Sequence, residues 1–227
     1  MAFEVYEFKS RNDANNALVE RIGFIAQKQI KNTGCAHLAF SGGKSPIEYF
    51  ELLSQKDIMW EQCKIALVDE RIVPPTHQDS NARLLRTHLL KNLAFKASFT
   101  PLIDNADLSI EDLLELANLH YKKPDVAVLG MGLDGHTASL FSSADEFKEA
   151  LSSEKSIVFL NPKEAAPYQR LSMSLKALVH CGNLFLMISG KEKYTVLKEA
   201  LKGENFHLPI SYILHSKKVQ CDVYYAE

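Results

Sequence analysis

Strand-length apolar segments alternate with helix-length segments along almost the whole of this chain, and that alternation constrains the fold more than any other feature. Residues 3–8 alternate large apolar with polar side chains, the two-residue period of a half-buried strand. Residues 12–31 carry Ala17, Ile22, Ile25 and Ile30 at three- and four-residue spacings and run into Gly34, which predicts a helix. A short strand over 37–40 follows. Pro46 then stands at the first turn of a helix predicted over 47–53, where its missing N–H is unpaired in any case. The pattern repeats with a strand at 64–68 that ends in Asp69-Glu70-Arg71 and a helix over 81–90. Ser109 with Asp112 is a capping signal for a helix reaching His120. The nearly all-apolar segment 125–129 predicts a strand covered on both faces. Further strands are expected at 156–160, 171–174, 183–188 and 219–225, with a helix over 191–201. Such alternation implies βαβ units: an α/β fold with a mainly parallel, Rossmann-like sheet and helices on both faces, in a single domain over residues 1–227. Pro74-Pro75 and residues 94–107 read as loops within that domain.

Composition narrows the function classes. A chain of 227 residues can bury a core without a metal or disulfide staple. Its 26 basic and 28 acidic side chains leave a net charge of -2, so no global field favours nucleic acid or an acidic membrane. Any anion must be caught by local charge. Cys35, Cys63, Cys181 and Cys221 form no Cys-x-x-Cys pair, which argues against a zinc knuckle or redox dithiol and for reduced, mostly buried thiols. The first residues lack a basic region followed by an apolar stretch, and no apolar run reaches bilayer length. The expectation is a cytoplasmic protein with no membrane, nucleic-acid or obligate protein partner.

Five of the ten glycines lie in two short loops, Gly42 and Gly43, then Gly130, Gly132 and Gly135, each after a buried strand. Open α/β sheets bind ligands at such strand ends. Gly43-Lys44-Ser45 matches the tail of a P-loop, but the first glycine of that motif falls on Leu38, inside the strand, so a nucleotide cradle is not expected. What remains are backbone N–H groups beside a helix N-terminus, with Ser41, Lys44 and Ser45 as further donors to an anion. The second loop formally matches G-x-G-x-x-G, yet the strand predicted next ends in Asn161 and not in an acid. A nicotinamide cofactor is therefore not expected either. Within this loop His136 follows a buried strand, two residues from Asp134, a setting that suits a general base oriented by a carboxylate. Asp69-Glu70-Arg71 ends another strand and should face the same crevice, the acids for sugar hydroxyls and the guanidinium for an oxyanion or phosphate. There is no G-x-S-x-G elbow and no H-E-x-x-H helix, so neither a serine hydrolase nor a zinc protease is supported, and no metal ligands are assigned.

Taken together these segments resemble a known family. Ser41-Gly42-Gly43-Lys44-Ser45-Pro46, Asp69-Glu70-Arg71-Ile72-Val73-Pro74, Ser80-Asn81 and the run from Gly130 through Asp134-Gly135-His136-Thr137-Ala138-Ser139 to Phe141 are similar to the motifs of the 6-phosphogluconolactonases. Pro167-Tyr168-Gln169-Arg170 and Gly190-Lys191-Glu192-Lys193 resemble that family's later arginine and lysine segments. The resemblance implies an α/β fold shared with glucosamine-6-phosphate deaminases. It also implies hydrolysis of 6-phospho-D-glucono-1,5-lactone in the oxidative pentose phosphate pathway, without cofactor or metal. His136 falls on the family's catalytic histidine, with Asp134 or Asp69 to orient it or hold a hydroxyl. Arg71, Arg170 and Lys193 fall on substrate-holding cations, beside Gly42, Gly43, Lys44 and Ser45. Ser142-Ser143 replaces a proline-glycine often found there, and Lys44 stands where a small polar residue is also common. Two rivals share the scaffold. A glucosamine-6-phosphate deaminase-isomerase resembles Asp-Glu-Tyr at Asp69-Glu70-Arg71. A non-catalytic sugar-phosphate sensor would bind without turnover.

Overall fold

Among the described residues, 3–227 of a computed structural model, the apolar segments form two sheets. The larger has seven strands, all paired in parallel: β1 (Phe3–Phe8), β2 (Ala36–Phe40), β3 (Cys63–Leu67), β5 (Ser98–Phe99), β6 (Val126–Leu129), β9 (Asn183–Ser189) and β10 (Cys221–Ala226). Their order is β1-β10-β9-β6-β2-β3-β5. The smaller sheet is antiparallel and joins β4 (Asp69–Arg71), β8 (Arg170–Met173) and β7 (Ile157–Leu160).

Strand β6 shows why the large sheet is covered on both faces. Successive side chains of a strand point to opposite faces, and all four here are buried. Val126 and Val128 join one core, with α1 (Arg11–Thr33), α2 (Ile47–Ser54) and α3 (Asn81–His88). Ala127 and Leu129 join the other, with α4 (Ile110–His120), α5 (Phe147–Ser152), α6 (Leu175–Val179), α7 (Lys191–Ala200) and α8 (Ile210–Leu214). The helix starts follow the sequence signals: Ser10, Ser80 and Ser109 each accept a backbone N–H three residues on, and Gly34 closes α1 in the left-handed region at φ 84°.

Two expectations change. The strand over 64–68 does not continue into Asp69-Glu70-Arg71. Val68 donates its N–H to Phe40 O of the large sheet (3.0 Å), while its own carbonyl accepts from Met173 N–H (2.8 Å). The chain thus passes from one sheet to the other at Val68, and β4 belongs to the antiparallel sheet. Residues 94–107, read as loop, contain the two-residue edge strand β5, whose pairing to β3 had no local signal. No described helix is long and apolar enough to cross a membrane.

Phe40 ends β2 fully buried, edge-on to Phe50 (5.4 Å between centroids, 90°). Phe40→Ala is expected to cost about 3–5 kcal/mol, read as a lower urea midpoint at unchanged slope.

Candidate active site

From β2 the sheet extends through β3 to β5, and from β6 it extends the opposite way through β9 and β10 to β1. The strand order reverses between β2 and β6, which is where an open α/β sheet leaves a crevice at its carboxyl ends. Both glycine loops emerge there. They border a cleft of about 240 Å³ lined by Ser41 to Pro46, Asp69, Arg71, Asn81, Gly130 to Gly132, His136, Arg170 and Lys193, among others. Of the residues singled out from the sequence, Gly42, Gly43, Lys44, Ser45, Asp69, Arg71, His136, Arg170 and Lys193 all line it. Asp134 lies behind His136 as its partner.

The β6 loop is built around that pair. Asp134 Oδ1 accepts from the His136 backbone N–H (3.2 Å) and lies 2.5 Å from Nδ1. Partial burial pushes the Asp134 carboxyl up, but the hydrogen bonds and charge of His136 together outweigh it and hold the pKa below its ordinary value. An ionised carboxylate only accepts, so Nδ1 carries a proton, and in the neutral form of the ring the lone pair is the one on Nε2. The turn is closed by Gly132 N–H to His136 O (2.9 Å) and Gly135 N–H to Gly132 O (3.1 Å), with Gly135 at φ 75°. No side chain fits at Gly132, where a Cβ would stand 2.2 Å from His136 Nδ1. Ala138, a non-glycine at φ 51°, ends the turn at the cleft wall. The His136 ring stacks on Phe141, 4.1 Å between centroids at 23°.

Strand β4 contributes alternate residues. Asp69 and Arg71 face the cleft, whereas Glu70 faces away and is buried. Glu70 accepts the N–H groups of Arg71, Asn81 and Ala82 and the Ser80 hydroxyl, and so fixes β4 to the N-terminus of α3. Burial raises its pKa despite those donors. Of the two acids expected to face the crevice, only Asp69 does so. Asp69 Oδ2 accepts from Ser139 (2.5 Å) and lies 4.0 Å from Arg170 Nη1. Asn81 orders the neighbouring guanidinium: it donates to Asp69 O (2.8 Å) and accepts from Arg71 Nη1 (2.7 Å), which also donates to Asp79 O. A Cβ at Gly42 would stand 1.8 Å from Asn81 Oδ1, so the β2 loop touches Asn81 only because it carries glycine.

Electrostatically the cleft gathers cations. Lys44, Arg71, Arg170 and Lys193 line it, with Asp69 as the buried carboxylate among them. Burial lowers the Arg170 pKa, with Asp69 opposing and Arg71 adding to the effect. Burial also lowers Lys193, and Arg11 lowers it further. Buried polar atoms are nearly always satisfied, yet Ser41 Oγ, Arg71 Nε and Arg170 Nε have no partner. The charge of the cleft suits an anionic ligand, and these orphan atoms belong to residues that line it. Sequence reading assigned no role to Asn81, Ser139, Phe141 or the rim residue Tyr168, which donates to Asp79 (3.0 Å) from a left-handed backbone at φ 69°. The period of a three-residue strand could have separated Glu70 from its neighbours; no local signal marks the rest. Among the described residues no group of three or more histidine, cysteine, aspartate or glutamate side chains is close enough to hold a metal ion.

The chain is similar to proteins of one family along its whole length. The family model described as glucosamine-6-phosphate isomerases/6-phosphogluconolactonase matches residues 9–222. A 6-phosphogluconolactonase of Helicobacter pylori is 48% identical over the full length of both chains. One from Neisseria meningitidis is 41% identical over 99% of this chain and all of its own. The crystal structure of a 6-phosphogluconolactonase from Shewanella baltica superposes with a TM-score of 0.92 at 33% identity, covering 98% of this chain and 97% of that one.

The closeness of Gly132 to the histidine generates a test. Gly132→Ala would place a methyl 2.2 Å from Nδ1 and 2.4 Å from Asp134 Oδ1 and force the pair apart. The downfield Nδ1 proton resonance expected of the wild-type hydrogen bond should be lost in Gly132→Ala and in Asp134→Ala, with the dispersed amide spectrum retained.

Proposed function

The chain belongs to the family of glucosamine-6-phosphate isomerases and 6-phosphogluconolactonases, and we propose that it opens 6-phospho-D-glucono-1,5-lactone with His136 as general base. The observation that carries the base assignment is the Asp134–His136 pair at the rim of a cation-lined cleft, with Nε2 unblocked. The activity itself rests on relatives of 41–48% identity over whole chains.

The chemistry needs few parts. Nε2 of His136 takes a proton from water as the hydroxide oxygen bonds to the lactone carbonyl carbon. Negative charge grows on the carbonyl oxygen, where Arg71 and loop N–H groups stabilise it. The tetrahedral intermediate collapses by breaking the bond to the ring oxygen, and the imidazolium returns its proton to that oxygen. The product is 6-phospho-D-gluconic acid, which ionises and releases one proton to solvent. Asp134 keeps the imidazole in one tautomer throughout, and Asp69 accepts from a sugar hydroxyl. Arg170 and Lys193, with donors of Ser41 and of the Gly42 to Ser45 loop, hold the phosphate; burial has already removed part of their hydration, so a dianion gains strong charge-assisted bonds. The reading carries with it a place in the oxidative pentose phosphate pathway, a cytoplasmic location and one lactonase domain over residues 1–227. It calls on no cofactor, metal, nucleic acid or obligate protein partner.

Proton release from fresh lactone, followed with and without enzyme, tests the reaction, because the lactone also hydrolyses unaided. Wild type should accelerate release clearly, and His136→Ala should lose about 10²–10⁴-fold of that acceleration. Near-wild-type rates in His136→Ala would contradict the base; ammonia release from glucosamine 6-phosphate without lactone turnover would contradict the reaction.

A further inference from the structure

We propose that Phe141 is a positioning residue for the lactone-opening step, its ring serving as the plate that fixes the His136 imidazole beside the Arg170 guanidinium. The inference rests on the base assignment above. The His136 ring lies on Phe141 at 4.1 Å and 23°, close to parallel. The Arg170 guanidinium carbon sits over the same Phe141 ring, 5.4 Å from its centroid. One aromatic side chain therefore contacts both the base and a cation assigned to substrate.

The Phe141 ring cannot turn aside. It is 2% exposed and packs in the core beneath the β6 loop. Its backbone is pinned by its own N–H to Ser139 O (3.1 Å) and by Ala144 N–H to its carbonyl (3.1 Å). The hydrogen bond to Asp134 restrains the imidazole at Nδ1, and the stack on Phe141 restrains the tilt of the ring plane. Two restraints of different kind then aim Nε2 into the cleft, and an angular error at a reacting atom is costly.

The stack also has an electrostatic consequence. The negative face of an aromatic ring favours a cation above it, so Phe141 favours the protonated imidazole. The charged groups around His136 are Asp134 from its own loop, Asp69 and Arg71 from β4, Asp79 from the segment after it, Arg170 from β8, Lys193 from α7 and Lys44 from the β2 loop. Removing the ring withdraws one stabiliser of the imidazolium. That change lets the base stay neutral to lower pH. The acid limb of the rate profile should move down.

The experiment is a pH profile of kcat and kcat/KM for wild type, Phe141→Leu, Phe141→Met and Phe141→Tyr, with His136→Ala alongside. Two ringless variants guard against one failing to fold. In the ringless enzymes kcat should fall roughly tenfold, short of the 10²-fold that an ångström of misplacement can cost. KM should change little, since uniform binding is untouched. The acid limb should shift to lower pH by on the order of half a unit, and Phe141→Tyr should restore both. A loss of rate with the acid limb in place, or a loss confined to KM, overturns the proposal and leaves Phe141 as core packing. Should His136→Ala remain active, the base assignment fails first; an inactive His136→Ala beside wild-type behaviour in both ringless variants overturns the role of Phe141 alone.

Discussion

Strands β2 and β6 lie side by side while the strands beyond them run outward in opposite directions, and the gap this leaves at their carboxyl ends is what the rest of the molecule is arranged around. Two loops must cross that gap without filling it. They manage this by carrying glycine where backbone comes closest to functional atoms: Gly42 against Asn81 and Gly132 against His136 and Asp134. A methyl at either position would occupy the space of the group it is meant to hold. The glycine content of the loops is thus a packing requirement of the site, with left-handed backbone at Gly43 and Gly135 as a second use of the same residue type.

Around that gap the structure places uncompensated charge. Burying cations and leaving Ser41 Oγ, Arg71 Nε and Arg170 Nε without partners lowers the stability of the free protein. An anion in the cleft would offset the repulsion among these cations. The surroundings hold these groups firmly. Glu70 ties β4 to α3, Asn81 bridges Asp69 and Arg71, and Ser139 fixes Asp69 from the β6 loop. Elements distant in sequence meet here through these hydrogen bonds, and those of Asn81 and Ser139 hold Asp69 and Arg71, which line the cleft.

Much of this was legible before any coordinates. Buried strands, serine caps and the glycine that closes α1 are local signals, read from a few neighbouring residues, and the structure keeps them within one to three residues. The residues chosen from the glycine loops and from Asp69, Arg71, Arg170 and Lys193 converge on one cleft. What could not be read is what depends on partners far along the chain. Val68 changes sheets because Phe40 and Met173 happen to flank it, and β5 exists only because β3 offers it an edge. Glu70 looked like its neighbour Asp69, yet the strand period turns it the other way. Phe141 closes the motif as an ordinary core aromatic, and only the fold brings its ring under both His136 and Arg170.

How the phosphosugar lies across the cleft decides which groups meet the lactone carbonyl and which meet the phosphate. A crystal structure with 6-phosphogluconate bound is the most direct measurement. The phosphate should rest on Arg170, Lys193 and the loop from Ser41 to Ser45, with the new carboxylate within hydrogen-bond distance of His136 Nε2. A product lying the other way, with phosphate at Arg71 and its carboxylate remote from His136, would contradict the central claim that this histidine delivers water to the lactone carbonyl.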